Sequence, residues 1–235
     1  MNKTVALIPA RSGSKRIPSK NTVLLNGYPL LAYSIQCAKD SGIFDSIYVS
    51  SDSLEIGVIA KRYGADFIHC PLEIAHKDHD PDFKWVNHAV KTLDLSPDSV
   101  FSILRPTSPF RTGETIKRAY GYFINEDCDS LRAVERCLQH PAKMWTLEGK
   151  YLKPFTDLGL YSEPYQNLPE VWVQNASLEI AHTYVVYSIG NISGNKILPF
   201  FTQSYEGFDI NYPEDLREAE YLIESGLAKL PIIHL

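Results

Sequence analysis

The stretch Thr4-Val5-Ala6-Leu7-Ile8-Pro9-Ala10-Arg11-Ser12-Gly13-Ser14-Lys15-Arg16-Ile17-Pro18-Ser19-Lys20-Asn21 decides how the rest of the chain is read. Thr4 to Pro9 is a short apolar run closed by proline, the pattern of a strand buried on both faces. A loop of small and basic residues follows. Residues 11 to 20 hold Arg11, Lys15, Arg16 and Lys20, four of the 23 Lys and Arg in 235 residues, where ten positions of average composition would hold about one. The small residues at 12 to 14 let backbone N–H groups turn toward an anion while the basic side chains supply charge. The spacing is neither GxxxxGK[ST] nor GxGxxG. In an open α/β sheet, ligands sit beyond the carboxyl ends of the strands, where a loop after a first strand lies. A solvated basic loop is the alternative.

Downstream, strand and helix signals alternate. Leu30, Leu31, Ser34, Ile35 and Ala38 recur at helical spacing before Gly42, Ile47 to Ser50 reads as a strand, and Leu54 to Tyr63 as a helix stopped by Gly64. Ala65 to His69 and Val100 to Leu104 read as strands, Phe83 to Leu93 and Thr115 to Ile124 as helices. Past about residue 125 the turn signal Glu148-Gly149 and Pro141, Pro154, Pro164 and Pro169 separate short extended pieces. Approximately residues 138–176 are therefore expected to be an inserted, partly antiparallel region. Strand signals return at Ser177 to Tyr187 and at Tyr205 to Ile210. Asn211 and Glu214 have capping-box spacing for a helix over Glu214 to Glu224. The expected fold is α/β, a Rossmann-like, mostly parallel sheet with helices on both faces, built as one domain over residues 1–235.

Composition narrows the function. With 44% apolar and 22% charged residues the chain has globular proportions, without a disordered or coiled-coil signature. Its net charge of -5 provides no overall positive field for a nucleic-acid backbone or an anionic membrane. Any anionic ligand must be met locally. Cys37, Cys70, Cys128 and Cys137 form no CxxC pair and read as reduced thiols. The apolar run at the start is far shorter than a signal core or a membrane span, and the expected location is cytoplasmic. No local signature marks a Ser-His-Asp or Cys-His nucleophile.

The loop Ile8 to Asn21 resembles the signature loop of bacterial CMP-acylneuraminate synthetases and of their relatives that activate legionaminic and pseudaminic acids. The similarity continues in Val49-Ser50-Ser51-Asp52-Ser53-Leu54-Glu55-Ile56, in Leu104-Arg105-Pro106-Thr107-Ser108-Pro109-Phe110-Arg111, in Asn175 with the strand after it, and in Phe208-Asp209-Ile210-Asn211-Tyr212-Pro213-Glu214-Asp215. The resemblance implies that the anomeric hydroxyl of a nonulosonic acid attacks the α-phosphate of CTP with Mg²⁺ assistance, giving a CMP-sugar and pyrophosphate. It assigns Arg11, Lys20 and Asp209 to catalysis, and Ala10, Arg11, Ser12, Gly13, Ser14, Lys15, Asn21 and Asp78 to the nucleotide. Arg105, Asn175 and Lys143 fall to the sugar, and Asp209 with Asn211 to the metal. It also implies a homodimer whose inserted regions complete each other's sites. In-line nucleotidyl transfer needs charge neutralised on the triphosphate, which the basic loop supplies, and a hard oxygen-ligated cation, for which a carboxylate ending a late strand is suited.

Several positions depart from the family pattern. Asn211 stands where a second aspartate is common; it can offer a carbonyl oxygen to a metal or cap the last helix. Cys70 precedes Pro71 where an arginine is usual, which puts cytosine selection in question. His76, Asp78, His79 and Asp80 form a dense charged run that reads as a solvated loop rather than a metal cluster. Arg105 replaces the usual glutamine, adding a fixed fork of donors, so the sugar is expected to differ from N-acetylneuraminate, and the pattern of departures resembles the legionaminic-type branch. Its alternative is a structural ion pair beneath the loop. The competing functions are a metal-dependent glycosyltransferase, from the degenerate Asp209-Ile210-Asn211, and a non-catalytic nucleotide- or sugar-binding protein.

Overall fold

The computed structural model describes residues 2–74 and 81–234. The first strand, β1 (Thr4–Pro9), is followed by a small hairpin, β2 (Leu24–Leu25) and β3 (Tyr28–Pro29), and by α1 (Leu30–Ser41), β4 (Ser46–Ser51), α2 (Leu54–Arg62) and β5 (Asp66–His69). Next come α3 (Phe83–Thr92), β6 (Val100–Ile103), α4 (Gly113–Ile124) and β7 (Ser130–Arg136). A separate hairpin of β8 (Trp145–Glu148) and β9 (Tyr151–Pro154) precedes β10 (Trp172–His182), β11 (Ile197–Phe201) and α5 (Pro213–Glu224).

Seven strands form one sheet in the order β11-β7-β10-β6-β1-β4-β5. Every pairing is parallel except those of β10, which runs antiparallel to both β6 and β7. Helices cover both faces, and β1 shows why the apolar run has no polar gaps. Ala6 and Ile8 pack with Leu31, Ile35 and Ile116 of α1 and α4, while Val5 and Leu7 pack with Trp85 and Val90 of α3 on the other face. A third cluster joins Ile17 of the first loop, Phe110 of the loop after β6, and Ala219 and Leu222 of α5. Local chemistry sets the helix ends. Gly42 takes φ +62° after α1, a left-handed conformation that costs glycine little. Thr112 accepts from the Thr115 N–H at the start of α4. At Gly113 an added Cβ would lie 2.7 Å from the Asp40 carbonyl carbon, so glycine lets α4 start against the end of α1.

Three expectations are corrected. The strand signal at Ser177 to Tyr187 is shifted: β10 begins at Trp172 and ends at His182, and Val185–Ile189 winds into a π-helical turn whose Val185 and Val186 pack beside α3. Tyr205 to Ile210 is not a strand. Its backbone is taken by turns, Glu206 N–H to Gln203 O and Phe208 N–H to Tyr205 O, and the added strand is β11, parallel to β7. Asn211 does not cap α5, which starts one residue earlier, at Pro213, with Tyr212 at the cap. The Asp215 carboxylate accepts from the N–H groups of Asn211 (2.7 Å) and Tyr212 (2.8 Å), so the helix's own first turn closes its amino end.

Candidate active site

The strand order reverses between β1 and β6, since β4 and β5 lie on one side of β1 and the later strands on the other. Loops leaving the carboxyl ends of those two strands diverge there and open a crevice. A cleft of about 590 Å³ occupies it, lined by Arg11, Ser14, Lys15, Arg16, Lys20 and Asn21 from the first loop, by Arg105 and Thr107 from the second, and by Ala176, Asp209 and Asn211.

The first loop is held by its polar residues. Ala10 N–H donates to Ser50 O, and the N–H and hydroxyl of Ser12 donate to the Asp52 carboxylate, each at 2.8 Å. Buried Asn21 donates to Arg11 O at 2.9 Å, closing the loop on itself. Ser12 is thus spent on holding the turn. Ser12 and Gly13 do not line the cleft, and Ala10 lies beside it, near Ser50, Asp52, Cys70 and Trp85. Burial pushes the Cys70 thiol pKa up, and a bond with Ser50 opposes the shift. Lys20 donates to Ile210 O at 3.0 Å. Burial lowers its pKa, the Asp209 charge opposes the shift, and Arg16 and Arg11 reinforce it.

Asp209 enters on the loop after β11, where Ile210 N–H bonds Thr107 O at 2.9 Å. The expected late strand is absent, but this bond places the carboxylate beside the β6 loop. Its Oδ2 accepts from Asn211 Nδ2 at 2.5 Å, and its Oδ1 is buried with no partner among the described residues.

Arg105 Nη2 donates to Asp82 (2.5 Å) and Glu179 (2.8 Å), and its carbonyl accepts from Ser34 Oγ and Arg111 Nη2. The ion pair and the place in the cleft coexist. Arg111 is fully buried and sequence reading left it without a role; it donates to Ser177 O, to Ser34 Oγ at 2.7 Å, to Arg105 O at 3.2 Å and to Cys37 Sγ at 3.5 Å. Ser177 lies within the register shift between Gln174 and Glu179 of β10, where a bulge frees a carbonyl from the ladder.

A second cleft, of about 750 Å³, adjoins the first; Arg105, Ala176 and Asp209 line both. Its walls include Glu135, Gln174, Asn175, Tyr205, Phe208 and Glu218. Asn175 donates to Thr202 Oγ1 (2.9 Å) and Glu135 (3.3 Å) and accepts from Ser177 N–H. At Gly207 an added Cβ would lie 2.4 Å from Asn175 Nδ2 and 2.5 Å from Glu135 Oε2. Glu135 had no local signal, because β7 was not read as a strand. Lys143 lines neither cleft, and its ammonium bonds the carbonyls of Tyr161 and Glu163. Asp78, like His76, His79 and Asp80, lies outside the described residues.

Fold and site define an α/β protein with a polybasic anion cleft at its switch point and a polar cleft joined to it. The cytidylyltransferase family model matches residues 5–156. The N-acylneuraminate cytidylyltransferase of Escherichia coli is 44% identical over 211 residues, covering 89% of this chain and 49% of that protein. The CMP-N,N'-diacetyllegionaminic acid synthase of Legionella pneumophila is 33% identical over 235 residues, covering 94% of this chain and 97% of that protein. The chain thus spans about half of the first relative and nearly all of the second. A solved CMP:2-keto-3-deoxy-manno-octonic acid synthetase, complexed with CTP, shares the fold with a TM-score of 0.71 at 12% identity, over 96% of this chain and 100% of that one. The chain belongs to the cytidylyltransferases, in the nonulosonate group.

Proposed function

We propose that this chain transfers the cytidylyl group of CTP to a nonulosonic acid, giving a CMP-sugar and pyrophosphate. The observation that carries the reading is the pair of clefts meeting at Arg105, Ala176 and Asp209. One is rich in cations suited to a triphosphate, the other in hydrogen-bonding side chains suited to a polyhydroxylated sugar. Arg11, Lys15 and Lys20 would neutralise phosphate oxygens and favour departure of pyrophosphate. Asn175, held by Thr202 and Glu135, would present its amide to the sugar.

The site also fits Mg²⁺. A buried Asp209 Oδ1 without a partner among the described residues, in a cleft proposed to receive phosphates, is the donor a hard cation takes; such ions use one or two carboxylates and complete their shell with phosphate and water. Asp209 would hold the ion and Asn211 would orient Asp209. When bound, the ion withdraws charge from the phosphate oxygens.

The legionaminic-type reading draws support from Arg105 and from a legionaminic relative matched along nearly its whole length. The homodimer reading rests on the β8–β9 hairpin, where Trp145, Leu147 and Leu152 share one face and are exposed, an apolar area that a second copy would cover. Lys143 would then serve the partner's cleft. No helix among the described residues is long and apolar enough to cross a membrane, and a cytoplasmic location is part of the proposal.

The test is pyrophosphate release from CTP and Mg²⁺ across a panel of nonulosonic acids. Release with at least one acid is expected. Silence across the panel with CTP still bound would favour a binding protein, and transfer from a sugar nucleotide would favour a glycosyltransferase.

A further inference from the structure

Arg105 stands where the two clefts join, yet its guanidinium is not a free surface cation. Nη2 alone takes both Asp82 and Glu179, and among the described residues Nε and Nη1 meet no acceptor. Asp82 ends the loop before α3, and its other oxygen accepts from Trp85 Nε1 at 2.9 Å. Glu179 is 4% exposed, on β10. Its second oxygen pairs with Arg132 of β7, the neighbouring strand, where residues 132 and 179 stand in register. Arg132 is 9% exposed and is anchored in turn by Ser193 Oγ at 2.5 Å. Two guanidiniums and two carboxylates sum to zero charge. The network therefore adds little field to the cleft; what it adds is direction.

Holding one side chain with four charges, two of them buried, is weak evidence for a role in stability alone, since such sets are often replaceable by apolar groups. We infer that Asp82, Glu179 and Arg132 are positioning residues that fix the Arg105 guanidinium at the junction so that its remaining donors meet the carboxylate of the acceptor sugar. The inference rests on the proposed function, in which the acceptor is an acid whose carboxylate adjoins its reacting carbon. That carboxylate must lie where the clefts meet, and the residues shared by both clefts offer one arginine, Arg105. A fork already ordered in the free protein loses little rotamer entropy on binding, so the arrangement favours sugar affinity and leaves the nucleotide untouched.

The test compares Glu179→Gln and Arg105→Gln, singly and together, measuring KM for the acid, KM for CTP and kcat. Loss of an ionic anchor is expected to raise KM for the acid roughly tenfold, with KM for CTP and kcat within about twofold. In the Arg105→Gln background, Glu179→Gln should add less than about twofold, because nothing remains for Glu179 to position. Equal effects on both substrates, or the same effect with and without Arg105, would overturn the inference. If Glu179→Gln does not fold, Asp82→Asn removes a partly exposed anchor and must show the same split. A wild-type protein that turns over no nonulosonic acid would instead overturn the functional reading, before any variant is made.

Discussion

Arg111→Met probes the least expected group in the molecule, a guanidinium with 0% exposure whose partners, Ser177 O, Ser34 Oγ, Arg105 O and Cys37 Sγ, are all neutral. Methionine fills comparable space but donates nothing. Ser177 O loses a charge-assisted bond, Ser34 Oγ keeps only its own donation to Arg105 O, and that carbonyl keeps Ser34 Oγ and the Ser108 N–H. Hydrogen bonds from a charged donor are worth about 1.5–3 kcal/mol each, three oxygens lose one, and relief from burying an uncompensated cation offsets part of the total. The net is roughly 3–5 kcal/mol of destabilisation. In a chain of this size each kcal/mol moves Tm by about 2–4 °C, so Tm should fall by roughly 10 °C. Thermal unfolding followed by circular dichroism, with urea unfolding as a check, measures it. Arg111→Lys, which keeps the charge but not the fork, should fall between. A methionine variant melting within about 2 °C of the parent would refute the reasoning, for it would mean that the bulge and the loop after β6 are held together by other contacts.

Arg11→Ala and Asp209→Ala should each lower turnover at least roughly a hundredfold with Tm unchanged, because both groups act on phosphate charge; near-parental rates in pyrophosphate release would contradict the assignment. Gly207→Ala places a methyl against Asn175 and Glu135, so KM for the acid should rise while KM for CTP holds, as initial-rate kinetics in each substrate will tell. Burial holds the folded pKa of Lys20 below its ordinary 10.5, so it sheds its proton at a lower pH than a solvated lysine. CTP affinity should then fall as pH rises through that folded pKa, and the fall should vanish in Lys20→Met when followed by calorimetry. The unfolded chain holds the same proton more tightly, so this group contributes stability that grows with pH from the folded pKa to 10.5. Glutamates at Leu147 and Leu152, cross-strand partners on the exposed hairpin, should convert a dimer to a monomer by light scattering; a parent that is already monomeric and fully active would remove the dimer reading.

The first half of the fold was legible because its signals are local. The run Thr4 to Pro9 has no polar gap, since both its faces are buried, and α1 stops at Gly42, where its helical pattern ends, with the glycine in the left-handed conformation. The basic loop was legible through composition, and the structure gathers Arg11, Lys15, Lys20, Asn21, Arg105, Asp209 and Asn211 along one cleft. The second half failed where long-range contacts override pattern. Tyr205 to Ile210 has strand-like residues, but turns take its Glu206 and Phe208 N–H groups, and Gly207 packs against the side chains of Asn175 and Glu135. Ser12 reads as an anion binder, yet Asp52, forty positions away, takes both its donors. Arg111 reads as the end of a motif, and only three-dimensional packing shows it spanning α1, the β6 loop and β10.

The reversed direction of β10 explains why the second cleft and the insertion belong to one place. Strands β7 and β10 are antiparallel neighbours, with Trp172 opposite Arg136 and Cys137 N–H bonded to Val171 O. The carboxyl end of β7 and the amino end of β10 therefore lie at one edge of the sheet. That edge is also where the parallel strands β1 and β6 end, because β10 runs against β6 as well. Any chain inserted between β7 and β10 must then emerge beside the switch-point crevice, whatever its sequence. Had β10 been parallel, its amino end would lie at the opposite edge and residues 174–176 could not line either cleft. The bulge refines the placement: between Gln174 and Glu179 the ladder to β7 breaks, Ala176 faces both clefts, and Ser177 O turns to Arg111. One reversed strand thus sets a second cleft beside the crevice at the switch point.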